Sequence, residues 1–355
     1  MQERAGGLPG NPSGSAATES AAPQAAAAQA DARLPTAAAG AKRWRDSAAQ
    51  AKAAGYSFAN LNLQGADLSG MDLSGVDFTA AQLDGANLHG ANLAGARFDK
   101  ASLSQALFDG AQLNQASFVE SNLSRASFKR VTAHRCNFKR AALSHTALES
   151  ADLLQAVFTG AQLLEAVFTQ ACLREARMDH SAVMRCDLSQ TDLSMSDLTK
   201  TSFVQSSLAG ASLMRSMLTG ADFAGVRLDG AVFDESSLDN ARFVHGTSLP
   251  GVSFVRASLR RASLRGLQLI NANFNEAQLD GADLSEANCA HASFQRASLK
   301  GTQLLRTNLQ SAWLVSCNLM QAVLSQANLR GANFTGANLF GADMAKVDID
   351  KAIQA

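Results

Sequence analysis

Tyrosine and tryptophan are almost missing from this chain of 355 residues, which has one Tyr and two Trp against 18 Phe. Base stacking on outward rings therefore has little to work with, and nucleic acid is not an expected partner. No run of 18 apolar residues occurs, so no segment is expected to span a bilayer. An excess of charge is missing too: 31 basic residues face 31 acidic ones, and from Gly55 onward the balance is 25 to 27. A global field that would steer a polyanion or a membrane surface is excluded on that count. Cysteine is sparse, odd in number at five, and scattered, which argues against a disulfide framework. The opening Met-Gln-Glu-Arg runs into Gly, Pro and Ala rather than into a charged and then an apolar region. Without a Sec-type pattern, a cytoplasmic location, or export without a Sec signal, is expected.

Four of the five prolines fall within residues 1–40, among Ala, Gly, Ser and Gln. Such a segment buries too little apolar surface to offset its ordering entropy, so residues 1–41 are expected to be a disordered tail. The tail reads either as a passive linker or as a secretion or docking signal. Residues 42–54, KRWRDSAAQAKAA, suit a short helix over 42–55 that caps the bare β edge a solenoid would otherwise expose.

The remainder of the chain is a repeat. From Phe58, steps of five reach Leu63, Leu68, Leu73, Phe78, Leu83, Leu88 and Leu93, and the register holds to Phe243. Only Ala133, Met178 and Val183 depart from Leu or Phe in that span. One extra residue intervenes within 244–250, and the register resumes at Leu249 and runs to Ile349. Two residues before each centre stands a small or modest side chain, as at Ala86, Ala91, Ala96, Ala101 and Ala106. Neither of these two positions carries a charge anywhere, so both are expected to point inward.

All but one of the phenylalanines occupy centres. Phe58, Phe78, Phe98, Phe118, Phe138 and Phe158 recur at every twentieth position and form the expected core ladder. Phe203, Phe223 and Phe243 form a second ladder, and Phe254, Phe274, Phe294 and Phe334 a third. Like stacking on like at every fourth centre means four five-residue sides to a coil. A five-residue step drifts around a helix of 3.6 residues per turn, so the fold is expected to be all-β. Coils one strand spacing apart, about 4.8 Å, would bring successive rings into offset contact, and some 15 coils would give a rod roughly 70 Å long.

The tandem A-(D/N)-L-x-x units, such as ADLSG at 66–70, ANLHG at 86–90, ADLLQ at 151–155 and ANLRG at 327–331, resemble those of pentapeptide-repeat proteins. The resemblance covers 56–349. It implies a right-handed quadrilateral β-helix, here a solenoid over 56–355, and says little of function because the motif specifies a scaffold. Some members of that family engage a type II topoisomerase by mimicking duplex DNA with a strongly acidic surface. The neutral charge here departs from that pattern.

Chemistry is scarce. His134 and Cys136 stand two apart, but the register turns Cys136 inward and His134 outward, against a metal site. Cys186 and Cys317 fall in small inward slots and Cys289 at a centre, all as buried hydrophobes, and only Cys172 should face out. The six histidines fall at corners. No nucleophile elbow, phosphate loop or zinc motif is present, and neither catalysis nor a cofactor is expected.

The surface offers two features. Between Ser121 and Leu148 lie Arg125, Lys129, Arg130, Arg135, Lys139 and Arg140 with no acid, and between Asn240 and Asn275 lie Arg242, Arg256, Arg260, Arg261 and Arg265, again with none. The first set steps around one coil as a belt, which suits a solvated surface or an acidic partner better than a straight duplex. The second feature is an apolar stripe of Leu164, Met184, Val204 and Val244, each just after a centre and in line, with Ala224 in the gap. Leu154 and Met214 do likewise on the opposite face, and Val255 and Val315 share a row near Trp313. An aligned row is the mark of an interface, although the corner tolerates single apolar residues. The expected function is a non-catalytic protein–protein interaction scaffold, secretion-associated as an accessory or effector, with an unidentified protein partner. The C-terminal coil is expected to offer a homodimer face, and the alternative function is the topoisomerase-directed DNA mimic.

Overall fold

The computed structural model describes residues 49–50, 52–53, 55–244 and 246–353. The expected tail over 1–41 and the greater part of the expected cap, 42–48, lie outside the described residues, as does His245. Residues 49–50 and 52–53 are helical. Lys52 Nζ donates to the Asp72 carbonyl at 2.8 Å and sits 2.7 Å from its carboxylate. That side-chain contact lowers the Asp72 carboxyl to about 2, so it holds at neutral pH and is lost only as pH falls through that value.

The repeat folds because each unit pairs with the fourth unit after it. Parallel bridges join Asn62 to Gln82, Asp67 to Asn87, Asp72 to Asn92 and Asp77 to Arg97, and the pattern continues to Asn333 with Ile353. Four units complete one coil of a quadrilateral β-helix. We number its faces by their centres: Phe58 on the first, Leu63 on the second, Leu68 on the third and Leu73 on the fourth.

One unit shows how the backbone is satisfied. Asn87 N–H donates down to Ala66 O, Leu88 N–H up to Leu107 O and Gly90 N–H up to Asp109 O, at 2.9, 2.7 and 3.0 Å. Ala91 N–H closes the corner on Leu88 O at 3.1 Å. The fifth donor, His89 N–H, is taken by the Asn87 side chain at 3.1 Å. This last bond explains the Asp or Asn that precedes so many centres, since its side chain supplies an acceptor for the one donor that the neighbouring coils leave over. In several units where that position holds Ser, an Asp one coil below takes over: Asp109 Oδ1 accepts from Lys129 N–H at 3.0 Å and from the Ser127 hydroxyl.

On the second face five three-residue strands form a parallel sheet in the order β1 (Gln162–Leu164), β2 (Ala182–Met184), β3 (Ser202–Val204), β4 (Asp222–Ala224) and β5 (Arg242–Val244). Side-chain donors here reach the carbonyl one coil below. Ser206 Oγ donates to Val183 O at 3.1 Å, Cys186 Sγ approaches Leu163 O at 3.2 Å, and Thr247 Oγ1 donates to Phe223 O at 3.0 Å. The pairing interval lengthens to 21 at Arg227 with Ser248 and stays so through Arg242 with Ser263. The extra residue therefore lies between β5 and Ser248, and the faces above keep their alignment.

Rings fill the interior. The first-face ladder from Phe78 to Phe158 stacks at centroid distances of 4.8 to 5.1 Å. Phe108 and Phe128, which form a ladder of their own on the third face, stack at 4.5 Å and meet the first face edge-on, as Phe98 and Phe108 do at 5.8 Å and 89°. Above Phe203 the arrangement turns by a quarter: Phe203, Phe223 and Phe243 stack on the second face, and Phe233, Phe254, Phe274 and Phe294 on the fourth. Edge-to-face contact across the core persists, at 6.1 Å for Phe223 and Phe233.

Each corner requires a positive φ two residues after the centre, and many of these residues are not glycine: Asn60 has φ 61°, Arg130 55° and Arg261 56°. Left-handed backbone with a β-carbon costs about 1 kcal/mol or more per residue. Arg130→Gly is therefore expected to raise stability by about 1 kcal/mol in thermal unfolding. Phe118→Ala should lower it by about 3–5 kcal/mol in urea titration, because two neighbours on its own face and two across the core lose a partner.

Candidate functional surfaces

Four of the five thiols are taken up by the core. Cys136, Cys186, Cys289 and Cys317 are buried, and Cys172 is partly exposed. Burial pushes the thiols up, to about 12 at Cys289 and Cys317 and about 11 at Cys186, and raises that of Cys136 as well. His134 turns away from Cys136 and lies 2.6 Å from the Asp152 carboxylate on the next coil. Among the described residues no group of three His, Cys, Asp or Glu could hold a metal ion, and no helix is long and apolar enough to cross a membrane.

The apolar stripe coincides with the five-stranded sheet. Leu164, Met184, Val204, Ala224 and Val244 are the last residues of β1 to β5, and each is the direct register partner of the next. Their side chains leave the same face one above another. Met184 is 42% exposed and Val244 39%, while Leu164, Val204 and Ala224 are half-buried. At the edge of the row, Glu165 pairs with both His145 and Arg185 at 3.1 and 2.9 Å. On the opposite face Met214 is exposed, and so are Met195 at the corner that follows that face and Met217 at the start of the first face. Met195 N–H donates to Met214 O, so those two adjoin. Position alone does not single out Met195, because it stands two residues after a centre, where glycine or a polar residue is usual.

The belts separate into paired and unpaired members. Lys129 binds Glu149 at 2.9 Å, Arg140 lies 3.5 Å from Glu120, and Arg135 donates to Gln155 at 2.7 Å. In the second belt Arg256 shares Glu235 with Arg215, and Arg265 binds Glu286 at 2.8 Å. Arg125, Arg130, Lys139, Arg260 and Arg261 form no ion pair among the described residues. The paired cations are exposed, so these bonds contribute little to stability. The coil repeat explains them: an acid absent from the linear neighbourhood stands one coil away.

The C-terminal coil differs from those beneath it. Leu339, Met344 and Val347 occupy inward positions yet are only partly buried, Ile349 and Ile353 are exposed, and Phe340 is 75% exposed.

The family model described as pentapeptide repeats (8 copies) matches the chain over 62–174, 184–314 and 317–353. Among solved structures, HetL, a pentapeptide repeat protein involved in heterocyst differentiation regulation from the cyanobacterium Nostoc sp. strain PCC 7120, is 22% identical over 87% of this chain and 96% of its own, with a TM-score of 0.26. QnrB1, a plasmid-mediated fluoroquinolone resistance protein, is 18% identical over 69% of this chain and 89% of its own, with a TM-score of 0.25. Rfr23 from the cyanobacterium Cyanothece 51142 is 23% identical over 35% of this chain and 64% of its own, with a TM-score of 0.13. No curated protein matches the chain.

The thiol environments are open to a simple check. Titration of the native protein with a thiol-reactive dye should modify Cys172 alone, and all five cysteines should react after denaturation. Fast native reaction at Cys289 or Cys317 would contradict the packing.

Proposed function

The chain belongs to the pentapeptide-repeat family, and from that premise we propose that it is a non-catalytic scaffold whose apolar stripe docks a protein partner. The observation that carries this reading is the stripe itself: five successive strands end in an apolar residue, in direct register, on a surface whose other outward positions are mostly polar. The row fits a partner that lays one apolar side chain on each coil, because the coils rise by about 4.8 Å and a helix returns a side chain to the same face about every 5.4 Å. Placement beside a secretion system, as an accessory or a translocated effector, is the finer part of the proposal. It rests on the Ala-rich, Gln-containing segment 1–40. A second copy on the C-terminal coil would cover Met344 and Ile349.

The duplex-mimic alternative lacks support in the surface. A mimic needs carboxylates facing solvent, whereas Asp67, Asp77, Asp84, Asp99, Asp109, Asp239 and Asp280 each turn an oxygen onto a backbone N–H. Unpaired Arg125 and Arg130 stand among them as obstacles to the same partner.

Met184→Glu with Val204→Glu tests the reading. Both side chains point outward, so thermal unfolding should change by less than about 1 kcal/mol. A partner recovered with the wild-type chain from nuclease-treated lysate should be lost with the double variant, and stoichiometric protein should leave gyrase supercoiling unchanged. Retention of the partner by the variant would remove the stripe from consideration. Light scattering of wild type against Ile349→Asp reads the dimer separately.

A further inference from the structure

We propose that the corner between the first and second faces, from Asn240 to Phe340, is a groove for an extended acidic peptide that carries a large apolar side chain at one end. The surface is separate from the stripe, and its failure would leave the scaffold reading untouched.

The groove exists because side chains are missing. Along this corner the positive-φ position is held in turn by Asn240, Arg261, Gly281, Gly301, Gln321 and Gly341. The neighbouring coils show that arginine and glutamine are tolerated there, so the glycines are not forced by φ alone. At Gly301 an added β-carbon would meet nothing within 4 Å, and at Gly281 it would make only ordinary contact with Arg261 Cγ at 3.7 Å. The bare stretch opens a shallow groove of about 580 Å³ with Arg260, Arg261 and Lys300 among its walls.

Its charge is one-sided despite two acids in the lining. Asp239 Oδ1 accepts from Arg260 N–H at 3.1 Å and from the Ser258 hydroxyl. Asp280 Oδ1 accepts from Lys300 N–H at 3.1 Å and from the Ser298 hydroxyl. Both carboxylates are half-buried and turned onto the backbone. Arg260, Arg261 and Lys300 are exposed and form no ion pair among the described residues. Three such cations over a floor without side chains call for an anionic ligand thin enough to lie along the corner.

The far end supplies the second determinant. Lys300, Met320 and Phe340 stand one above another, since Gly301 N–H donates to Met320 O and Gln321 N–H to Phe340 O. Phe340 is the one phenylalanine off a centre and, at 75% exposure, the most exposed large apolar residue among those described. It lies two coils, about 10 Å, beyond Lys300, a distance spanned by about three extended residues. The occupant is thus a peptide with glutamate or aspartate against Arg260, Arg261 and Lys300, and a large apolar side chain about three residues on. Nucleic acid fits less well: no ring lines the cationic stretch, and the whole track is only about 24 Å long at one coil per 4.8 Å.

The test uses the full chain and a fluorescein-labelled peptide bearing three glutamates followed, three residues on, by phenylalanine, with fluorescence anisotropy as readout. Wild type should bind it, more weakly at high salt and more weakly when alanine replaces the phenylalanine. Gly301→Gln keeps every charge and fills the groove, and should weaken binding about tenfold. Arg260→Ser with Arg261→Ser should do the same, while Met184→Glu with Val204→Glu should change nothing. Thermal unfolding of each variant establishes that it is folded. No binding by wild type, equal binding by Gly301→Gln, or equally tight binding of an oligothymidylate of matching charge would overturn the proposal.

Discussion

Everything in this molecule depends on the axial hydrogen bond between a residue and its counterpart on the next coil. It fixes the rise per coil at one strand spacing, about 4.8 Å, and that rise then decides which side chains can touch. Phenylalanines stack because the spacing suits offset rings, and acids meet bases one coil away rather than along the chain. A pentapeptide has five backbone positions to satisfy, and the sequence motif is the answer: small residue, Asx, large residue, two corner residues. The Asx is there for a backbone donor, as at Asn87 and His89.

That same demand shapes the surface. An Asp bound to a backbone N–H of its own or the next coil is a weaker feature for a partner than a free one, whereas Arg and Lys have no backbone donors to serve. A chain neutral by count therefore presents its cations more openly than its anions, as the contrast between Asp280 and Lys300 shows. The corner chemistry lapses in two places: an apolar residue follows the centre along β1 to β5, and glycines stand where other coils carry long side chains.

The architecture was legible because centres and small slots are strictly periodic, and Phe58 to Phe158 could be aligned by counting alone. The third-face pair Phe108 and Phe128 was legible by the same count, but its edge-on contact with the first face depends on opposite faces meeting across a narrow core, which spacing does not reveal. The ladder beginning at Phe233 was hidden by the extra residue, which makes its partner Phe254 stand 21 positions on. Among surface features, the stripe from Leu164 to Val244 could be read from position. The pairing within the belts could not, because Glu120, Glu149, Glu235 and Glu286 lie outside the windows in which the basic residues cluster. Phe340 had a signal that was available, as the one phenylalanine out of register.

The interior between Phe168 and Phe203 holds no ring, and six consecutive small slots running from it to just past Phe203, Ser181, Cys186, Thr191, Ser196, Thr201 and Ser206, replace alanine with a polar side chain. Each hydroxyl or thiol is bonded to a carbonyl, so nothing is unsatisfied, but ring-to-ring cohesion gives way to hydrogen bonds that water can replace. As a mechanical object, such a rod would have two stiffer halves and a more compliant collar between them. Under axial tension the first coils to peel apart would be those of the collar, and most of the apolar stripe is mounted on or beside it.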